Sequence, residues 1–154
     1  MILASLFDIL RGYPREGAID EVFPVNQTSP PAYDSLPSGT VITVNSSGNA
    51  VAATTPNLSS ANYVPTWVVI EGNDDFSGTF LEEVTCLRAN AELKLDPSNL
   101  NSGSFTVGTL VTFSSGKWSP ATTNNQIIGE VLSNNQSVDG TIVVLYTGGV
   151  TASK

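Results

Sequence analysis

The 154-residue chain has no histidine and a single cysteine, so the side chains that most often carry acid–base, nucleophilic and zinc chemistry are nearly missing. Without an imidazole, neither a Ser-His-Asp nor a Cys-His nucleophile can be assembled. There is no CxxC, no phosphate-cradling GxxxxGK[ST], and no GxGxxG between a strand and a helix. Two carboxylate pairs remain, Asp74-Asp75 and Glu82-Glu83, the residue types of a glycosidase pair or a calcium site. Neighbours on a strand point to opposite faces, so Glu82 and Glu83 do not converge. Glu71, Asn73 and Asp75 alternate loosely as in a calcium loop, but the rest of such a loop is missing. Asn and Asp satisfying backbone groups in a turn is the simpler account. Cys86, within Val84-Thr85-Cys86-Leu87, reads as a small buried hydrophobe. Trp67 and Trp118 suit either core or interface packing or a platform on which a sugar ring stacks. Asn26, Asn45, Asn57 and Asn135 head glycosylation triplets, which arise by chance in a chain this rich in Asn, Ser and Thr. The expectation is a protein with no catalytic residue, no cofactor and no metal.

Charge narrows the partners. Six Lys and Arg stand against 14 Asp and Glu, giving a net charge of -8. The basic residues are scattered, so nothing is built to displace counterions from phosphate, and nucleic acid and anionic membrane are both disfavoured. An acidic surface suits a basic protein partner. Only 13% of residues are charged, while 40% are apolar, enough for a globular core. No segment is long enough to span a bilayer. The apolar start, Met1–Leu10, carries Asp8, lacks a basic lead and runs into Arg11-Gly12-Tyr13-Pro14-Arg15, so it reads as neither signal peptide nor anchor.

The elements that would hold these residues fall into two parts. Residues 1–38 form an expected N-terminal arm. Ile2, Leu3, Leu6, Phe7, Ile9 and Leu10 are spaced as one face of a short helix, which Gly12 and Pro14 end. Pro24, Pro30, Pro31 and Pro37 then keep the chain semi-extended. Such an arm either reaches a neighbouring subunit or folds back on its own domain. Residues 39–154 form a β domain with an internal repeat, about 39–87 and 108–149. Gly39, Thr40, Thr43 and Ser46 recur 69 residues on, at Gly108, Thr109, Thr112 and Ser115. A one-residue deletion then aligns Gly48 with Gly116 and Ala53-Thr54-Thr55 with Ala121-Thr122-Thr123. Each copy reads as strand, Ser-Gly turn, strand, followed by a second hairpin. The fold class is mainly β: a small barrel-like or sandwich-like domain of two related hairpin units, with an extended arm carrying a short helix.

The order of these segments, and in particular Ile128-Gly129-Glu130-Val131-Leu132 followed by Gly140-Thr141-Ile142-Val143-Val144-Leu145, resembles the capsid decoration (cement) proteins of tailed bacteriophages, of the lambda head-decoration type. The likeness covers roughly residues 36–149 and is a pattern of strands and turns. It implies a structural virion protein, a homotrimer on the outer capsid surface at three-fold positions. Such a protein binds the major capsid protein and stabilises the expanded shell, with an arm that orders on contact. The long first region does not match the family, so its contacts are inferred from physics: Leu3, Leu6, Phe7, Ile9, Leu10 and Tyr13 would meet the capsid or a neighbour. Rival expectations are a carbohydrate-binding or adhesion module on a virion surface, using Trp67 or Trp118, and a structural domain of a tail or neck.

Overall fold

The computed structural model describes residues 5–11, 20–74, 80–148 and 152–154. In chain order the strands are β1 (Asp8–Arg11), β2 (Asp20–Pro24), β3 (Val41–Val44), β4 (Ala50–Ala52), β5 (Trp67–Glu71), β6 (Glu83–Leu87) and β7 (Asn90–Leu95). After a 3-10 turn at Pro97–Asn99 come β8 (Leu110–Ser114), β9 (Lys117–Pro120), β10 (Gln126–Ile127), β11 (Gly129–Asn135), β12 (Thr141–Thr147) and β13 (Ala152–Ser153). They build a six-stranded sheet in the order β1-β7-β12-β11-β8-β9 and a five-stranded sheet in the order β2-β6-β5-β3-β4, with β10 and β13 paired separately. The class is mainly β, as the alternating segments predict. The expected barrel does not close: both large sheets keep two edges.

The repeat is visible in the topology. The order β6-β5-β3-β4 in one sheet matches β12-β11-β8-β9 in the other. Gly39 N–H donates to Val69 O at 2.8 Å, and Gly108 N–H to Val131 O at 2.9 Å. Val69 N–H returns to Thr40 O and Val131 N–H to Thr109 O, both at 2.9 Å. Even the bulges coincide, between Val69 and Glu71 in one unit and between Val131 and Ser133 in the other.

The two units stack in the same sense. The first unit's row Val41–Val68–Leu87 faces the second unit's Val111, Val131, Ile142 and Val144, and together they form the main core. The first unit's opposite face, with Ile42, Val69, Val84 and Cys86, needs a cover of its own. Val25, Leu36 and Tyr33 supply it in a second, smaller core. Hence the β5 run Val68-Val69-Ile70 is apolar without alternation, because both faces of its sheet are covered.

Residues 1–38 do not form a helix where they are described. Residues 5–7 are irregular, and Asp8–Arg11 is a strand antiparallel to β7, with Asp8 opposite Lys94 and Ile9 opposite Leu93. The same residues fit a period of two: Phe7 and Ile9 point to the core. A three-turn helix is marginal alone, whereas the β7 edge offers unpaired backbone groups. The proline-rich stretch is anchored as well. Buried Asn73 accepts Leu36 N–H at 2.8 Å and donates to Asp34 O at 2.7 Å and Leu81 O at 3.0 Å.

A turn locks the units together. Gly116 N–H donates to Ala53 O at 2.9 Å, and Val41 N–H donates to Gly116 O at 2.8 Å, so the turn is wedged where β3 and β4 part. Both turn glycines have positive φ, +78° at Gly116 and +83° at Gly48. A Cβ on Gly116 would lie 2.8 Å from Thr40 Cγ2 and 3.0 Å from Ala52 Cβ, while one on Gly48 would meet nothing within 4 Å. Gly48→Ala is therefore expected to cost about 1 kcal/mol from backbone strain alone. Gly116→Ala adds overpacking, for roughly 2–4 kcal/mol in all. Chemical denaturation of the two variants checks this; equal losses would mean that the wedge is not a tight contact.

Candidate interaction surface

The arm residues that sequence reading singled out divide by position. Leu6 and Leu10 are 40% and 45% exposed, while Phe7 and Ile9 lie half-buried on the main core. Leu3 and Tyr13 fall outside the described residues. Asp96 holds the segment: its Oδ1 accepts Leu6 N–H at 2.9 Å, and its Oδ2 accepts Ser98 N–H at 2.8 Å and the Ser98 hydroxyl. Burial alone would raise the Asp96 carboxyl, but the bonds from Ser98 and Leu6 outweigh it and hold the group below its ordinary value. The side chain of Asn99 completes the cap by accepting Asp96 N–H at 2.9 Å, and its amide reaches Ser38 O, also at 2.9 Å. One carboxylate thus joins the N-terminal segment to the junction between the two units.

The second feature is an apolar row on the outer face of the six-stranded sheet. Glu130 stands opposite both Leu110 on β8 and Leu145 on β12, and cross-strand partners point to the same side. Leu110 is 39% and Leu145 38% exposed, and exposed Leu132 follows at the bulge. By register, Leu110, Glu130, Leu145 and Leu132 are the second unit's counterparts of Val41, Val68, Leu87 and Ile70. In the first unit that row is buried in the main core; in the second it faces outward.

Neither tryptophan offers a face for stacking. Trp118 is fully buried, edge-on to Tyr146 with centroids 6.1 Å apart, and its Nε1–H donates to Gly39 O at 2.9 Å. Trp67 is also buried, edge-on to Phe23 at 5.1 Å, with the Arg88 guanidinium 4.8 Å from the ring centroid. Both rings are core side chains, as in the packing reading and not the stacking one that the sequence also left open; Trp118 is also the anchor of the contact between units. Sequence gave no sign of that anchor, because Ala50 occupies its place in the first unit.

The acidic candidates hold backbone or border a cleft. Asn73 is committed to the three bonds given above, Glu71 Oε2 accepts from the Thr85 hydroxyl at 3.4 Å, and Asp75 lies outside the described residues. Glu71, Glu82 and Glu83 border an open cleft of about 560 Å³ together with Val22, Tyr33 and Leu81. Among the described residues no group of three His, Cys, Asp or Glu is placed to hold a metal, and no helix is long and apolar enough to cross a membrane. The cap follows from local chemistry, a capping carboxylate directly before a proline at the first helical position. No sequence signal marks Asp96 as the tether of the N-terminal segment, because Leu6 lies 90 residues away.

No family model matches the chain, and neither the curated proteins nor the solved structures contain a match to it.

Cys86 is buried and unpaired, as the sequence predicts. Burial and the neighbouring Glu21 carboxylate push its thiol up to about 12, and burial pushes the Tyr146 phenol up to about 12. Both groups release protons more readily in the unfolded chain, Cys86 from about 9 and Tyr146 from about 10. Stability is therefore intact below about pH 9 and falls as pH rises toward 12, by about 1.4 kcal/mol per pH unit for each group in its window. Urea unfolding across that range is expected to show the loss. Cys86→Ala should flatten its lower part, and an unchanged slope in that variant would show that the thiol does not ionise on unfolding.

Proposed function

We propose that the protein is a structural component of a virion that attaches to the outer surface of an icosahedral phage capsid and stabilises the expanded shell. In this reading it works as a homotrimer bound to the major capsid protein. The segments that carry the resemblance to decoration proteins, residues 128–132 and 140–145, lie on β11 and β12 in the middle of the six-stranded sheet. The observation that favours attachment through the N-terminal segment is its partial burial. Phe7 and Ile9 rest on the body, while Leu6 and Leu10 turn their side chains to solvent. Burying each of these large side chains against a partner would contribute on the order of 1.5–3 kcal/mol before ordering costs. A closed assembly engages several capsid sites together, and linkage multiplies weak contacts. The acidic surface suits a basic docking site.

Co-sedimentation of the purified protein with expanded, undecorated shells tests the reading. Saturable binding in multiples of three per three-fold position is expected; no binding by a protein that stays monomeric would overturn it. Deleting residues 1–12 should weaken attachment about tenfold or more. That deletion also removes Phe7 and Ile9 from the core, so Leu10→Asp serves as the surface variant and is expected to weaken attachment without loss of fold. Full occupancy by both variants would exclude the arm as the contact.

A further inference from the structure

We propose that copies of this chain associate head to tail, with the Asn45–Asn49 turn of one copy seated beside the Leu110–Glu130–Leu145 row of the next. The internal repeat supplies the template: the chain already makes this contact once, between its own two units. There, the Ser115-Gly116 turn enters the gap between Val41 and Ala53, and the row Val41–Val68–Leu87 is buried beneath the second sheet. The contact uses the turn of the second unit and the row of the first. The turn of the first unit and the row of the second are left over, and both are exposed.

The leftover parts keep the shapes that the internal contact uses. Leu110 and Ala121 part as Val41 and Ala53 do: Ala121 N–H donates to Leu110 O, and Ala53 N–H to Val41 O, each at 2.9 Å. In the second unit the Ala121 carbonyl accepts the Lys154 ammonium at 2.8 Å, where Ala53 O accepts the Gly116 N–H. A flexible cation thus stands where the first unit receives a packed turn. The free turn is preformed: Asn45 Oδ1 accepts both Ser47 N–H and Asn49 N–H at 3.0 Å, and the Asn45 amide is tied to Asn26 Oδ1 at 3.2 Å. A preformed, uncharged turn loses little freedom and buries no charge on docking. Two substitutions make the contact between chains weaker than the internal one. Glu130 stands where Val68 does, and Ala50 stands where the Trp118 anchor does.

Because turn and row lie on different units, the contact is heterologous, and repetition of it closes a ring or extends a filament. The inference names the contact for the closed assembly proposed above, but it is tested without capsid, so the two readings can fail separately. In the internal contact Pro37 and Ser115 line one cavity. The counterpart of Pro37 is Thr106, and Ser47 precedes Gly48 as Ser115 precedes Gly116, so a Ser47→Cys chain and a Thr106→Cys chain carrying different tags are mixed and oxidised. Buried Cys86 stays silent. The mixed disulfide is expected to exceed that of either chain alone and that of Ser47→Cys with Val138→Cys, a control on the 84% exposed turn residue. In sedimentation equilibrium, Glu130→Val should tighten association about tenfold by restoring the apolar centre of the row, and Leu145→Asp should weaken it to a similar degree. Crosslinking no better than the control, or a mass that neither variant changes, would overturn the proposal. So would a dominant disulfide between two Ser47→Cys chains, which requires a symmetric face.

Discussion

Two sheets stacked in the same sense cannot cover each other symmetrically. One unit offers its Val41–Val68–Leu87 face and the other its Val111–Val131–Val144 face, so two faces are always left over. Most of the remaining structure answers that constraint. The first unit's spare face is closed by Val25, Tyr33 and Leu36, held in place by the buried amide of Asn73. The second unit's spare face keeps leucines around a glutamate, a compromise between solubility and contact. The wedge of Gly116 and the indole bond of Trp118 to Gly39 fix the angle at which the stack is made.

The constraint also explains which polar groups are buried. Asn73, Asn99 and Gln126 are each buried and each answers backbone groups of a segment distant in sequence. Gln126 donates to Val64 O at 2.7 Å and accepts Val64 N–H at 2.8 Å, completing a strand-like pair for a residue that has no strand neighbour there. A chain with few charges uses amides for this purpose, because an amide both donates and accepts and needs no counter-charge when desolvated.

Much of this was legible in the sequence. The Gly39/Gly108 and Gly48/Gly116 correspondences gave two hairpin units, and the topology repeats them strand for strand. The stretch Asn90–Leu95 carries no decisive periodicity of its own and is fixed as a strand by its neighbours, since β7 pairs with both β12 and β1. The N-terminal helix failed because Leu3, Leu6, Phe7 and Leu10 fit a period of 3.6 while Phe7 and Ile9 fit a period of two over so short a run, and only the open edge of β7 decides between them. The fate of the tryptophans was hidden for another reason. A repeat aligns positions, but Trp118 aligns with alanine, and burial at a contact between units cannot be read from either unit alone. Alternation along Glu130-Val131-Leu132 puts Glu130 and Leu132 on one side of the strand, yet nothing local shows that the matching row is buried in the other copy.

The pairing of β1 and β2 carries a consequence for the order of folding. Each four-strand unit is built from two hairpins whose strands are close together in sequence, whereas Asp8 must find Lys94 and Asp20 must find Leu87. Loop closure makes those two ladders the slowest to form and leaves them for last. During synthesis the N-terminal strands leave the ribosome first and wait longest for their partners. They also sit at sheet edges, so they are elements that can lift away while both four-strand units remain intact. A strand that docks last and detaches first is well suited to being exchanged with a neighbour's edge.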